Sequence, residues 1–131
     1  MREKENQRSI PLSATSITMS STTPLPKDDL SKIPEGLSGP LQLAVHIKAK
    51  DGKEQEVAEW LSKIQAYANT DKEPDTNVYR VSRAVEGGGA WFLVYEEYKN
   101  AEAMKHHTQG QDFKTFFSKA GELLEVIHPR W

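Results

Sequence analysis

Residues 41–131 show two hydrophobic periods, one of two residues and one of about 3.6. The first predicts strands whose side chains point alternately to the two faces of a sheet, and the second predicts amphipathic helices. In chain order the pattern predicts a strand, a helix, two strands joined by a glycine hairpin, two helices interrupted at Gly110, and a closing strand. The predicted strands are residues 41–48, 76–85, 90–98 and 123–129, and the first helix is residues 53–69.

The order β-α-β-β-α-β is that of an α+β ferredoxin-like sandwich, in which helices cover one face of an antiparallel sheet. Gly87–Gly89 joins the two middle strands, and we expect positive φ angles there. The second face of the sheet would carry residues such as His46, Tyr79 or Trp91, which are too apolar to remain in contact with water. Covering that face with a second copy of the sheet predicts a homodimer with two-fold symmetry.

Residues 1–40 differ in composition from the rest of the chain. Serine and threonine fill nine of the fifteen positions from Ser9 to Thr23, and five of the seven prolines precede Leu41. Such a segment buries too little apolar surface to offset its chain entropy, so we predict a disordered tail of residues 1–40 before one domain of residues 41–131. Acidic residues in the tail argue against an import signal, and Met19 is an alternative start.

Charge and cysteine content exclude several classes of function. The 131 residues carry a net charge of -2, which offers no basic field for nucleic acid or for an anionic membrane surface. The chain has no cysteine, which removes disulfides, thiolate nucleophiles and cysteine-based metal sites. Its apolar runs are far shorter than the roughly 20 residues that span a bilayer. We therefore expect a cytoplasmic protein without a nucleic-acid or membrane partner.

His107 is the strongest candidate for chemistry. Asn100 is a good helix cap, and a short helix that starts there ends near His107, beside the aromatic helix face of Phe113, Phe116 and Phe117. Imidazoles titrate near neutral pH, so this one could serve as a base in a dry cavity. The alternative is that His107 only holds its helix to a neighbouring strand. His106 points about 100° away on a helix and is expected in solvent.

Three aromatic residues could form a wall for a flat substrate. Trp91 and Tyr95 share one face of their strand, and Tyr79 lies on the preceding strand. Their rings would suit a polycyclic aromatic compound, and His46 could assist; plain sheet packing or a dimer contact explains the same residues. Glu96 faces the opposite side of its strand and is expected to be a structural acid that pairs with Arg80 or a helix end.

A metal site finds little support in the sequence. His46 and His128 lie on the first and last strands, which are neighbours in this topology, but no carboxylate stands at a supporting spacing. We predict no metal.

The segment FLVYEEYKNAEAMKHH, followed by Phe113, resembles the signature of the antibiotic biosynthesis monooxygenase (ABM) family. That signature places a glutamate at the end of an apolar strand, an aromatic residue two positions later, an alanine seven after the glutamate and a histidine four after the alanine. These positions are Glu96, Tyr98, Ala103 and His107 here, with Tyr98 where tryptophan is more usual. The resemblance covers residues 41–131.

This resemblance implies a dimeric α/β barrel and a reaction with molecular oxygen that needs neither flavin nor metal. The implied substrates are anthrones, phenols or quinols, such as those of secondary metabolism. The haem-degrading members need a histidine in the long helix, where this chain has Phe116 and Phe117. Two alternatives remain: a non-catalytic dimeric module that binds a small ligand or a protein, and a cyclase or isomerase on the same scaffold.

Overall fold

A computed structural model describes residues 37–131. Residues 1–36 of the predicted tail lie outside the described residues, so the tail stays a prediction, as does the start at Met19. The described chain forms one antiparallel sheet of four strands in the order β2-β3-β1-β4, with helices packed on one face. The α+β ferredoxin-like fold is therefore confirmed. The elements are β1 (Leu41–Ala49), α1 (Glu54–Ala68), β2 (Thr76–Arg83), β3 (Trp91–Tyr98), α2 (Ala101–Thr108), α3 (Gln111–Ser118), α4 (Ala120–Leu123) and β4 (Leu124–Arg130).

The hydrophobic core lies between the sheet and the helices. The apolar residues at every second position of β1 are buried, as the alternating pattern predicts. On α1 the buried residues are spaced by four, three and four positions, which forms one stripe that packs on the sheet. Burial of each large aliphatic side chain contributes about 1.5–3 kcal/mol. The stripe consists of Val57, Leu61, Ile64 and Ala68.

Polar side chains of α1 and its C-terminal cap also reach strand β2, which lies at the edge of the sheet. The Gln65 side-chain oxygen accepts a hydrogen bond of 2.7 Å from the backbone N–H of Val81. The Asn69 side-chain nitrogen donates to the carbonyl of Tyr79 over 3.3 Å. Edge strands expose backbone groups that can pair with other chains. These two contacts occupy such groups and hold Tyr79 against the helix layer.

The glycine connection takes the predicted backbone angles but not the predicted length. Gly87, Gly88 and Gly89 have φ angles of 64°, 69° and 73°, which L residues with a side chain rarely adopt. The three residues form a tight turn, in which the N–H groups of Gly89 and Ala90 donate to the carbonyls of Glu86 and Gly87, and β2 ends at Arg83 instead of residue 85. The Arg83 side chain donates to the Gly89 carbonyl over 2.8 Å, which ties the loop to the end of the strand.

Helix α2 begins as the sequence predicts, because the Asn100 side-chain oxygen accepts a hydrogen bond of 3.0 Å from the Ala103 N–H. The break at Gly110 is also confirmed. A second break was not predicted: α3 ends at Ser118, and α4 starts two residues later. The Lys119 N–H bonds the Phe116 carbonyl, a spacing of three residues that tightens and ends the last turn.

Strand β3 divides its side chains between the two faces of the sheet. Phe92, Val94, Glu96 and Tyr98 point toward the helices and are buried. Trp91, Leu93, Tyr95 and Glu97 point to the other side, hereafter the open face, and keep partial contact with solvent.

Candidate functional site

The predicted site residues fall on opposite sides of the sheet. His107 and Tyr79 are buried on the helix side, whereas His46, Trp91 and Tyr95 lie on the open face. We expected Tyr79 on the open face, but it pairs directly with Glu96 of β3. Residues directly opposite each other in an antiparallel pair share a face, so Tyr79 points to the helices. The structure therefore does not bring these five residues into one site.

A buried carboxylate holds His107 in place. The side chain of His107, in the last turn of α2, is 1% exposed, and its Nδ1 lies 2.9 Å from Oε1 of Glu73. Glu73 belongs to the connection between α1 and β2, where two consecutive turns fold its side chain inward. The Thr76 hydroxyl donates to the same oxygen over 2.9 Å. The partner of the histidine is thus a loop acid, which differs from the strand contact that the sequence allowed as an alternative.

The hydrogen bonds to Glu73 determine which nitrogen of His107 carries a proton. Burial by itself raises the pKa of Glu73, but the hydrogen bond and charge of His107, together with Thr76 and His106, hold that pKa below its ordinary value. Glu73 is therefore a carboxylate at neutral pH, and a carboxylate can only accept hydrogen bonds. The proton of neutral His107 consequently sits on Nδ1, which leaves Nε2 as an acceptor.

Aromatic rings surround the rest of the imidazole. The ring centroids of Tyr79, Tyr98 and Phe113 lie 4.9, 5.7 and 5.3 Å from that of His107. Within residues 37–131, Nε2 of His107 is the only buried side-chain nitrogen or oxygen that lacks a hydrogen-bond partner. Buried polar groups are nearly always satisfied, so an unpaired one points to a functional demand or to a water site.

Glu96 is the second buried acid. Its Oε1 accepts a hydrogen bond of 2.5 Å from the Tyr98 hydroxyl. Burial raises its pKa to about 7, and the Glu73 carboxylate adds to this, whereas His107 and Tyr98 lower it by less. The expected pairing with Arg80 is wrong, because Arg80 points to the open face and Glu96 to the helices.

The two buried tyrosines near this acid stay protonated. Burial, followed by the carboxylates of Glu96 and Glu73, raises the pKa of Tyr79 well above its ordinary value. Burial and Glu96 likewise raise the pKa of Tyr98. Both are therefore neutral phenols at pH 7, so they can donate hydrogen bonds but cannot serve as bases.

A small apolar cavity lies between the sheet and α3. Its volume is about 20 Å³, which holds about one water molecule. Glu96 and Tyr79 are the two ionisable residues on its wall, and His107 lies behind the wall. The dry cavity expected at His107 is therefore small, because the phenylalanines of α3 fill that space. The remaining lining residues are Val45, Ile47, Leu61, Ile64, Val94, Phe113, Phe116, Phe117 and Ile127.

Helix α3 closes the cavity with its aromatic side chains. Phe113 and Phe117 stack nearly parallel, with centroids 5.8 Å apart and planes inclined by 8°. Phe116 is buried, whereas the other two remain in partial contact with solvent. The N-terminus of α3 at Gly110 has no side-chain cap. For the cavity to admit a larger molecule, the phenylalanine side chains of α3 that line it would have to move.

A wider groove on the surface does not reach the buried histidine. It has a volume of about 310 Å³ and lies over the connection between α1 and β2 and the start of α2. His106 is on its wall, and the Nε2 atom of His106 lies 2.9 Å from the carbonyl oxygen of Lys72. The wall carries charges of both signs, so the groove favours neither an anion nor a cation. Its residues are Lys72, Pro74, Asp75, Thr76, Glu102, Ala103 and His106.

The open face carries the remaining candidates. His46 lies directly opposite His128, as expected for neighbouring strands. Burial, followed by Arg130 and His128, lowers the pKa of His46, so it is neutral at pH 7. The Tyr95 hydroxyl donates to Glu97 over 2.5 Å. Residues 37–131 contain no group of three or more side chains placed to hold a metal ion.

Sequence reasoning did not predict that both acids are buried. The alternation of side chains along β3 was a usable signal for Glu96, because its neighbours on the same face, Val94 and Tyr98, are apolar or aromatic. Glu73 gave no signal, because it lies in a polar connection between Asp71 and Asp75 and resembles any solvated loop acid. Only the three-dimensional turn reveals that its side chain is buried.

The fold and the buried acid–base pairs define an α+β sandwich with an ionisable cluster between sheet and helices. The sequence profile described as "Antibiotic biosynthesis monooxygenase" matches residues 41–119. The chain therefore belongs to the ABM family. No curated protein matches the sequence.

Solved structures share this fold at low sequence identity. PA3566 from Pseudomonas aeruginosa is similar with a TM-score of 0.64 and 20% identity, over 71% of this chain and 91% of that one. A candidate antibiotic biosynthesis monooxygenase from Caulobacter crescentus gives 0.60 and 23%, over 71% and 89%. A Bacteroides thetaiotaomicron protein described as a possible oxidoreductase gives 0.61 and 18%, over 72% and 96%. These similarities establish the fold. Among residues 37–131, no helix has the length and apolar character needed to cross a membrane.

Proposed function

We propose that this protein is a cofactor-independent monooxygenase that oxidises a phenol, an anthrone or a quinol with molecular oxygen. The observation that carries the proposal is the buried acid–base cluster of Glu73, His107 and Glu96 beside an apolar cavity. Family membership supports oxygenation as the reaction. In such a reaction the protein supplies a proton acceptor and a dry site, and the substrate anion supplies electrons to oxygen.

For a substrate with a CH₂ group next to its rings, the reaction is balanced without another reductant. One oxygen atom enters the substrate as a carbonyl, and the other leaves as water with the two hydrogens of the CH₂ group. The cavity of about 20 Å³ is too small for a ring, so substrate entry requires Phe113 and Phe117 to move with α3. The apolar wall left behind would exclude water from the substrate anion.

Oxygen uptake tests this proposal. A panel of anthrones and hydroquinones is supplied to the wild type, to His107→Gln and to His106→Gln. We expect the wild type to consume oxygen with at least one compound and His107→Gln to be slower. The control His106→Gln should retain close to the wild-type rate, because His106 is exposed and is not part of the cavity wall. Absence of oxygen uptake with every compound would contradict the proposal.

A non-catalytic ligand-binding module is the second candidate, and the small volume of the cavity favours it. In that case the aromatic face of α3 is permanent core packing, and the cluster only fixes the fold. A cyclase or isomerase is a third use of the same acid–base groups. Turnover of a panel compound in the absence of oxygen would identify it, since proton transfer alone needs no oxidant.

We also propose that a second copy of the chain covers the open face, as the family fold suggests. Trp91 and Tyr95 are half-buried there, and Leu93 is 37% exposed. Sedimentation equilibrium should show a dimer for the wild type and a monomer for Leu93→Lys. The control Val85→Lys should stay dimeric, because Val85 lies in the loop after β2 and is already 96% exposed. A monomeric wild type at micromolar concentration would rule the interface out.

A further inference from the structure

We infer that Glu96, and not His107, is the group that takes the proton from the substrate, and that the Glu73–His107 pair acts on Glu96 from behind the cavity wall. The inference rests on the proposed function, because it assigns the acid–base step of that reaction. It differs from the sequence-based expectation, in which His107 is the base and Glu96 a structural acid.

The composition of the cavity wall carries the inference. Only two of its lining side chains are ionisable, those of Glu96 and Tyr79; the others are aliphatic or phenylalanine. Tyr79 keeps its proton, because burial and nearby carboxylates raise its pKa. A compound that enters the cavity therefore meets one proton acceptor, the carboxylate of Glu96.

His107 is less well placed to meet a substrate. It is not part of the cavity wall, and the rings of Tyr79 and Phe113 pack against it. Its Nδ1 is bonded to Glu73, so only the buried Nε2 could accept a proton. Direct contact with a substrate would require displacement of these packed rings in addition to the opening of α3.

The environment of Glu96 suits proton abstraction at neutral pH. A general base works best when its pKa lies close to the working pH, and burial raises the pKa of Glu96 to about 7. The Tyr98 hydroxyl occupies Oε1 and fixes the orientation of the carboxyl group, which leaves Oε2 for the substrate. The positive charge that His107 can carry lowers the pKa of Glu96, so His107 is a positioning residue that keeps Glu96 ionisable.

The proton and electron balance of the step is simple. A substrate C–H bond breaks, its proton moves to Glu96 Oε2, and the electron pair stays on the substrate carbon. The carbanion reduces oxygen and forms a C–O bond to a peroxide. Glu96 returns its proton to the outer peroxide oxygen. The O–O bond and the second C–H bond of the same carbon then break, the outer oxygen leaves as water with that hydrogen, and a carbonyl remains.

Hydrogen–deuterium exchange under nitrogen tests the proton step without oxygen. Anthrones in deuterated buffer are followed by NMR with wild type, Glu96→Gln, His107→Gln and Glu97→Gln. We expect the wild type to accelerate exchange at the acidic carbon, and Glu96→Gln to lose about a hundredfold or more of that acceleration. Glu97→Gln should match the wild type, because Glu97 lies on the open face. His107→Gln should still exchange protons, with its pH midpoint moved upward.

The outcomes separate this inference from the proposed function. Exchange in Glu96→Gln at the wild-type rate, or no exchange by the wild type, would overturn the role of Glu96. Loss of exchange in His107→Gln at every pH, with Glu96→Gln unaffected, would return the role of base to His107 and leave the monooxygenase proposal intact. Exchange that depends on Glu96 without any oxygen uptake would support the inference while contradicting the oxygenation.

Discussion

Replacement of Glu96 by glutamine should remove a pH dependence from the folding stability. Burial raises the folded-state pKa of Glu96 from 4.5 to about 7, so the folded protein prefers the protonated carboxyl group. Between these pH values the unfolded chain loses the proton while the folded chain keeps it. The unfolded state then binds fewer protons, and stability falls as pH rises through this window.

The size of the effect follows from the shift. A difference of about 2.5 pKa units at about 1.36 kcal/mol per unit gives a loss of about 3 kcal/mol between pH 4.5 and pH 7. Above pH 7 Glu96 is ionised in both the folded and the unfolded state, so the loss of stability stays constant. Glutamine has nearly the same shape, can still accept the hydrogen bond of Tyr98 and does not titrate. Relative to the wild type, Glu96→Gln should therefore gain about 3 kcal/mol across this window.

Denaturant unfolding followed by tryptophan fluorescence measures this difference at several pH values. Glu97→Gln is the matched control, because it makes the same change one residue along β3 on the open face of the sheet. The difference in unfolding free energy between wild type and mutant should change with pH for position 96 and much less for position 97. If both free-energy differences stay constant from pH 4.5 to above pH 7, the pKa of Glu96 is not raised by burial. Glu96 would then lack a pKa close to neutral pH.

Three further predictions test other features of the fold. Glu73→Gln should lose the stability that ionised Glu73 contributes, which is fully present above pH 4.5; its difference from wild type should shrink as pH falls below 4.5, because the folded-state pKa of Glu73 is lowered. Asn100→Ala should lower the unfolding free energy by about 1 kcal/mol in a denaturant titration, since it removes the cap of α2. Gly89→Ala should lower the melting temperature more than Gly88→Ala; both positions have positive φ, but only at Gly89 would the new Cβ lie 2.8 Å from Arg83.

The predictable part of the fold is what local pattern determines. The alternation in β1, the stripe on α1, the cap at Asn100 and the break at Gly110 each rest on neighbouring residues, and all four are confirmed. The prediction of which face Tyr79 occupies was wrong, because that face depends on the register between β2 and β3, which no single strand encodes.

The candidate site was less predictable because it is assembled from distant segments. The contact between Glu73 and His107 joins residues 34 positions apart, and a loop acid gives no periodic signal. The volume of the cavity depends on how three phenylalanine side chains of α3 pack, which the helical spacing alone does not determine. The parity of β3 did place Glu96 away from Trp91 and Tyr95, but only its surroundings reveal its proton affinity.

Strand β3 carries the same hydrogen-bonded pair on each of its two sides. The Tyr95 hydroxyl donates to Glu97 on the open face and the Tyr98 hydroxyl donates to Glu96 on the helix side, each at a distance of 2.5 Å. Donor, acceptor and spacing along the chain match, and the two copies differ in their access to water. The strand therefore presents the same pair once in the core and once on the open face. A spectroscopic titration of both carboxyl groups in one sample would measure how much the dry side of a single sheet changes the acidity of glutamate.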